Sequence, residues 1–257
     1  MTAPVLLSRE GEIAIVTLNE PERRNALSLA MREMLADVLD QAMTSDTRAI
    51  VLTGAGGNFC SGGDIKSFEP GAPLVEIRDR MGRLHRVARL LLAGRKPVIA
   101  AVDGYAFGAG VSLALACDHV VAAKDSRFCA SFNRVALMAD LALLYTLPAR
   151  IGMGKARELL MLGEIVEAEE ALAIRLVDRL AEPGRVLQTA IERAKLFAAA
   201  PPVALAITKA ALARMPAALE PVLQMELDGQ SALFGTADHG EGRAAFLEKR
   251  QPRFQGI

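Results

Sequence analysis

Tryptophan is absent from this chain of 257 residues, and only nine Phe and two Tyr stand in for it. A core must therefore be packed from Ala, Leu, Val, Ile and Met, whose small side chains let helices and sheets approach closely and leave apolar surface for subunit contacts. Cysteine is scarce too. Cys60, Cys117 and Cys129 show no CxxC spacing and lie in apolar or glycine-rich surroundings, which argues against a disulfide framework or a zinc site and for reduced thiols in a cytosolic protein with no metal. Neither sign of charge is in excess, with 30 basic and 30 acidic residues. Nothing here suggests a nucleic-acid surface or a polybasic membrane anchor, so the expected partner is a small molecule. No stretch runs 18 apolar residues without a charge, and the N-terminus lacks the basic-then-apolar pattern of a signal peptide. The expectation is a cytoplasmic protein.

What is present is an alternation of strands and helices. Residues 5–19 read as a hairpin turning at Glu10-Gly11. Ser28 is placed to cap a helix over 29–43, because Met31, Leu35, Val38 and Leu39 recur at helical spacing. "RAIVLTG" is a buried strand, 74–93 an amphipathic helix stopped by Gly94, and "PVIAAV" another buried strand. "HVVAA" and "RFCAS" supply short strands, "LVDRL" a strand or turn, and helices dominate from Leu141 onward. Strands alternating with helices in the first half imply parallel sheets with crossover helices. The "AAAPPVA" step at 198–204 marks a boundary, giving a core over 1–199 and an Ala-rich helical segment over 200–257 that must dock on the core or on another subunit.

Two strand-glycine-helix units are alike in design: "GGNFCSGGDIKSF" (56–68) and "DGYAFGAG" (103–110). Each is read as a loop that ends a strand and opens a helix, where backbone N–H groups lack intrahelical acceptors and can point into a cleft. Glycine keeps side chains away while a ligand nears the main chain. Gly108-Ala109-Gly110 also resembles part of a dinucleotide fingerprint, but the third glycine is missing and residues 103–107 separate the strand from the GxG. Glycines that simply make turns explain either loop alone, though not their pairing.

The stretches "LNEPERRNALS", "GNFCSGGDIKSF", "KPVIAAVDGYAFGAGVSLALACDHVVAAKDSRF", "YTLPARIGMGKARELLMLGEIVEAEEALAIRLVDRL" and "FLEKRQPRF" together resemble the enoyl-CoA hydratase/isomerase, or crotonase, family over nearly the whole chain. The resemblance implies an α/β fold, a crotonase-like ββα superhelix core with an α-helical C-terminal trimerisation segment. It also implies an acyl-CoA substrate, no permanently bound cofactor beyond the coenzyme A of the thioester, and a homotrimer or dimer of trimers. By motif position, the N–H groups of Gly63 and Ala109 become oxyanion-hole donors for the thioester oxygen. Preorganised donors stabilise the enolate charge that forms when a proton leaves the carbon beside a thioester. Ser61 and Cys60 are then packing neighbours, since neither loop offers a histidine base.

The hydratases of this family use two glutamates, and the matching positions hold Ser112 and Phe132. Neither titrates usefully. Asp140, in "VALMADLALLYTL", matches a position where some isomerases and a dehalogenase of the family carry a functional aspartate. Apolar neighbours would raise its pKa, a helix N-terminus would oppose that, and capping of a helix starting at Leu141 is the bland alternative. The family pattern has Pro-Asp with glycines around it, and Ala136, Ala139 and Ala142 occupy those places here. One carboxyl suffices to move a proton between two carbons of an acyl chain, so double-bond isomerisation is the first expectation. Hydration by a non-standard acid/base set, acyl-CoA binding without chemistry, and thioester hydrolysis stay open. By resemblance, Arg24 and Lys249 meet CoA phosphates, Ala26, Asp64 and Ile65 give main-chain contacts to the adenine, and Gly62, Ser112, Phe132 and Phe246 line the substrate region. Glu69, Glu76, His85, His119 and His239 have weaker claims as surface groups.

Overall fold

Gly11 holds φ at 58° and turns Val5–Glu10 (β1) back on Ile13–Leu18 (β2), so the expected hairpin forms with Glu10 opposite Ile13 and Val5 opposite Leu18. The computed structural model describes residues 3–67 and 71–257. Leu29–Thr44 (α1) follows, capped as expected by the Ser28 hydroxyl, which accepts the Met31 N–H at 3.1 Å. Then come Ala49–Gly54 (β3), Leu74–Ala93 (α2), Val98–Val102 (β4), Tyr105–Phe107 (β5), Ala109–Leu115 (α3), His119–Ala123 (β6) and Arg127–Cys129 (β7). The rest of the core is Leu143–Ile151 (α4), Met153–Leu162 (α5), Ile165–Glu167 (β8), Ala168–Ala173 (α6), Arg179–Ala181 (β9) and Val186–Ala198 (α7).

The main sheet runs β1-β2-β3-β4-β6-β9 and is parallel from β2 onward, as the strand-helix alternation implied. Both faces are covered, which is why its strands are continuous apolar runs. Ile50, Leu52, Ala100, Val102, Val120 and Ala122 face a core shared with α1, α2 and α3. Their neighbours Val51, Ile99, Ala101 and Val121 face Ala190, Ile191 and Ala194 of α7. Alanines on both partners let α7 lie close to the sheet.

Two strands went unforeseen. Tyr105–Phe107, inside the stretch read as the second glycine loop, is β5 of a small sheet ordered β5-β7-β8, and Ile165–Glu167 is β8. Three residues are too few for a period-2 signal; these strands exist because β7 offers both of them an edge.

The C-terminal helices are Pro202–Leu212 (α8), Leu219–Phe234 (α9) and Ala237–Glu248 (α10). Lys209 of α8 donates to Asp118 Oδ2 at 2.5 Å and to the Lys96 carbonyl at 2.9 Å, pinning the helix beneath β4 and β6. The Asp238 carboxylate of α10 accepts the Gln255 and Gly256 N–H groups at 2.6 and 2.8 Å, and Arg48 donates to the Phe254 carbonyl at 2.8 Å. By contrast α9 buries none of its residues, and Leu219, Leu227 and Phe234 lie exposed on it.

Candidate active site

The two glycine units are one piece of structure. Cys60 donates to the Tyr105 carbonyl at 2.9 Å and accepts the Phe107 N–H at 2.9 Å, a parallel bridge that lays the first unit along the outer edge of β5. Phe59 donates to the Asp103 carbonyl at 2.8 Å, extending the seam. On the other side of the first unit, Leu27 donates to the Gly62 carbonyl at 2.8 Å and accepts the Asp64 N–H at 3.4 Å.

This seam explains two of the glycines. A methyl on Gly62 would lie 2.8 Å from the Phe107 oxygen and 3.6 Å from the Ala109 nitrogen, and Gly62 holds φ at 103°. One on Gly110 would lie 2.2 Å from the Cys60 oxygen. Backbone meets backbone here, so no side chain can be accommodated by rotation.

Within this packed seam, no acceptor among the described residues takes the N–H of Gly63 or of Ala109. Ala109 is the first residue of α3, where an orphan donor is inherent to the helix. Gly63 is bracketed by the two bonds of Leu27, which leave its own N–H turned away. A pair of unsatisfied amides next to touching turns is able to receive the lone pairs of one oxygen.

Around the seam, Cys60 is fully buried, and that burial pushes its thiol up to about 12 despite the Gly62 backbone hydrogen bond. It stays protonated and does not act as a nucleophile. Ser112 is also fully buried, one turn into α3, with its hydroxyl 3.5 Å from the Gly108 carbonyl. Phe132 is buried in the 3-10 turn Ser131–Val135.

Asp140 is half-buried, and its Oδ1 is shielded from solvent with no hydrogen-bond partner among the described residues. Desolvation raises its pKa above the ordinary carboxylate range, opposed by the charge of Arg32, by its own backbone N–H and by His85. Among the described residues, Arg32 in turn is acted on by the charges of Asp140, Arg80 and Asp64 and by the Cys60 thiol, and its Nε donates to the Leu27 carbonyl beside the first glycine unit.

The capping alternative for Asp140 fails. The helix begins at Leu143, two residues later than expected; its N-cap is Ala142, with no side-chain cap bond, and Asp140 contributes only its main-chain oxygen, to the Leu143 N–H at 3.0 Å. Leu141 and Ala142 have φ of 48° and 64°, and Ala136 has φ of 57°. Ala136 and Ala142, two of the three alanines that replace the family's Pro-Asp context with its flanking glycines, therefore hold a conformation natural to glycine.

The other predicted residues are dispersed. Arg24 is exposed, with its guanidinium 5.4 Å from the centre of the Tyr105 ring. The main chain of Ala26 is engaged, by Arg23 O at 3.2 Å and Ser28 N–H at 2.7 Å. Asp64 is buried, its carboxylate taken by Arg23 at 2.6 Å and its carbonyl by the N–H and hydroxyl of Ser67. Ile65 is exposed, as are Phe246 and Lys249 at the end of α10. Glu69 lies outside the described residues; Glu76 is paired with Arg80. His85 is exposed on α2, yet its charge reaches Asp140. His119 packs beside Asp178, and His239 stacks edge-on to Phe234. A cavity of about 830 Å³ lies elsewhere, lined by Asp238, Glu241, Arg250 and Arg253. Its charges satisfy one another through the Arg250–Glu241 pair, and no unpartnered group points to chemistry there.

Two residues escaped the sequence reading. Arg32 is a charge on an apolar stripe, with Leu35, Ala36 and Leu39 at the next helical positions, and that misplaced charge was the available signal. Asn25 is fully buried with φ of 54°; it donates to the Ala55 and Asn58 carbonyls at 2.9 and 2.6 Å and accepts the Glu20 N–H at 2.9 Å. It ties the turn before α1 to the start of the first glycine unit.

Residues 8–256 match the family model described as enoyl-CoA hydratase/isomerase. A 1,2-epoxyphenylacetyl-CoA isomerase of Escherichia coli (strain K12) is 34% identical over 257 residues, with 98% of each chain covered. A short-chain-enoyl-CoA hydratase of Clostridium acetobutylicum is 34% identical, over 96% of this chain and 95% of the relative. The crystal structure of an enoyl-CoA hydratase from Bacillus anthracis superposes with a TM-score of 0.91 at 31% identity, covering 99% of this chain and 100% of that one. The likeness runs through the α/β core and the C-terminal helices, as expected for the fold class.

Proposed function

The chain belongs to the enoyl-CoA hydratase/isomerase family, and from that premise we propose that it shifts a double bond within an enoyl-CoA, with Asp140 carrying the proton. It is an acyl-CoA enzyme of that family. The proposed reaction starts from a 3-enoyl thioester. The Asp140 carboxylate takes a proton from C2, the C–H electron pair moves into a dienolate, and the negative charge settles on the thioester oxygen. The N–H groups of Gly63 and Ala109 hold that oxygen. Asp140, now a carboxylic acid, returns the proton to C4, and the product is the 2-enoyl thioester. No water or redox partner enters the balance.

The observation that carries this reading is the Asp140 Oδ1, buried and without a partner among the described residues, in a chain whose Ser112 and Phe132 offer no titrating group. A raised carboxyl pKa brings the acid and base forms closer in energy near neutrality, which suits a group that must take and return a proton. Each amide donor is worth about 10² to 10³ in rate. The name of the Escherichia coli relative, an isomerase, agrees with this class of reaction.

Hydration is the second reading, favoured by the name of the Clostridium acetobutylicum relative. It would ask Asp140 both to activate water and to supply the proton for C2.

On the coenzyme side, Arg24 and Lys249 are proposed to meet phosphates, Ala26, Asp64 and Ile65 the adenine, and Phe246 the substrate region. The Ala26 carbonyl already accepts the Ser28 N–H and keeps one lone pair for the base, whereas the Asp64 carbonyl accepts both the N–H and the hydroxyl of Ser67 and must give one of them up to meet it. The exposed apolar side of α9 supports assembly into trimers or paired trimers.

The test is Asp140→Asn assayed with matched 3-enoyl and 2-enoyl thioesters, with acyl-CoA affinity followed by calorimetry. Isomerisation by the parent, lost in the variant at nearly unchanged affinity, is the expected result. Isomerisation by the variant at the parent rate overturns the role of Asp140. Water addition without isomerisation selects the second reading, and binding without turnover of either thioester reduces the protein to an acyl-CoA binder.

A further inference from the structure

Arg32 takes no part in the proton transfer just described, yet its guanidinium side chain is only 7% exposed. Burying such a cation costs several kcal/mol unless hydrogen bonds and opposite charge compensate. Burial indeed lowers its pKa below the usual range, with Asp140 the first charge opposing that shift. Among the described residues the compensation points in two directions.

One is toward the glycine seam. Arg32 Nε donates to the Leu27 carbonyl at 2.8 Å. That carbonyl also accepts the Asp64 N–H, while the Leu27 N–H holds the Gly62 carbonyl, so Leu27 grips the residues on both sides of Gly63. The other is toward the carboxyl. Among the described residues, the charges that act on Arg32 are those of Asp140, Asp64 and Arg80, together with the Cys60 thiol; those that act on Asp140 are Arg32 and, from α2, His85. Asp64 is engaged by Arg23 at 2.6 Å and Arg80 by Glu76. Asp140 keeps a buried oxygen without a partner among the described residues.

We propose that Arg32 is a positioning residue that serves both halves of the site, fixing Gly63 through the Leu27 carbonyl and presenting its buried cation to the unpartnered oxygen of Asp140. The inference rests on the role given to Asp140 above. A hydrophobic residue would fill the same stripe of α1 at lower desolvation cost, so the cation is retained for what it holds and faces.

The test compares the full-length parent with Arg32→Gln and Arg32→Lys, using the pH profile of kcat/KM on a 3-enoyl-CoA and thermal melting. Loss of the cation in Arg32→Gln moves the acid limb upward by about one pH unit, and the loosened Leu27 tie lowers kcat about tenfold. Arg32→Lys keeps the charge, so its limb stays at the parent position while its kcat lies between the other two. A limb unmoved in Arg32→Gln, or moved equally in both variants, overturns the proposal.

Melting supplies a second measurement that needs no turnover. Arg32→Gln lowers Tm more in the Asp140 chain than in the Asp140→Asn chain, and equal losses overturn the coupling. Should Arg32→Gln alone not fold, a folded Arg32→Gln/Asp140→Asn chain supports the pairing, and an unfolded one, with Asp140→Asn folded, overturns it. Failure of the isomerase reading has a separate signature, parent-like turnover by Asp140→Asn, which leaves the melting cycle interpretable.

Discussion

Cys60 and Ala106 form a parallel bridge, and through it the strand-to-helix turn that carries Gly63 is joined to the strand that delivers Ala109. Two loops far apart in sequence thus share one backbone seam, and main-chain bonds join the turns that carry the two amides for which no described residue supplies an acceptor.

In the proposed reaction Ala109 contributes a backbone N–H, so its side chain is expected to be dispensable and its amide hydrogen is not. Ala109→Gly is expected to turn over within about threefold of the parent. Ala109→Pro stands at the first position of α3, where proline is tolerated, and loses about 10² to 10³ in kcat with Tm nearly kept. Steady-state kinetics of both variants decide the matter: equal rates in the two would remove Ala109 from the reaction.

The raised pKa of Asp140 has a signed consequence. In the proposed reaction the carboxylate is the working base, so kcat/KM is expected to fall as pH drops, with the acid limb above the ordinary carboxylate value near 4. For stability, a carboxyl raised by folding favours the folded state most at pH below its unfolded value. That contribution fades as pH climbs to the folded value. Asp140→Asn therefore gains Tm relative to the parent at pH 8 and loses that gain near pH 4. Melting curves at the two pH values check this, and a gain of the same size at both contradicts it.

Asn25→Ala removes three hydrogen bonds at a buried position and places a β-carbon residue at φ 54°. The unpaired carbonyls of Ala55 and Asn58 cost about 1–3 kcal/mol. Chemical denaturation should show that loss. It should come with weaker acyl-CoA binding, because the Arg24 segment is no longer tied to the glycine seam; wild-type stability would argue that water replaces the amide.

Ala142 at φ 64° is a local strain ahead of α4. Ala142→Gly is expected to raise stability by about 0.5–1 kcal/mol, the relief of the left-handed conformation outweighing the extra entropy of the unfolded chain. A lowered midpoint in urea would show that the alanine methyl packs usefully where it is.

The sequence by itself determined the hairpin at Gly11, the Ser28 cap, the parallel core strands and the family, because each rests on local chemistry: turn residues, hydroxyl caps, apolar runs and contiguous motifs. It also singled out Gly63, Ala109 and Asp140 by motif position. Tertiary structure alone decided that Tyr105–Phe107 is a strand, since three residues become one only when Cys60 and β7 supply partners. It decided as well that Asp140 does not cap α4, because Leu141 and Ala142 turn left-handed and delay the helix to Leu143. Arg32 reaches the Leu27 carbonyl within its own segment, but that its charge also acts on Asp140 depends on the docking of two segments more than a hundred residues apart, and no local pattern encodes such a meeting.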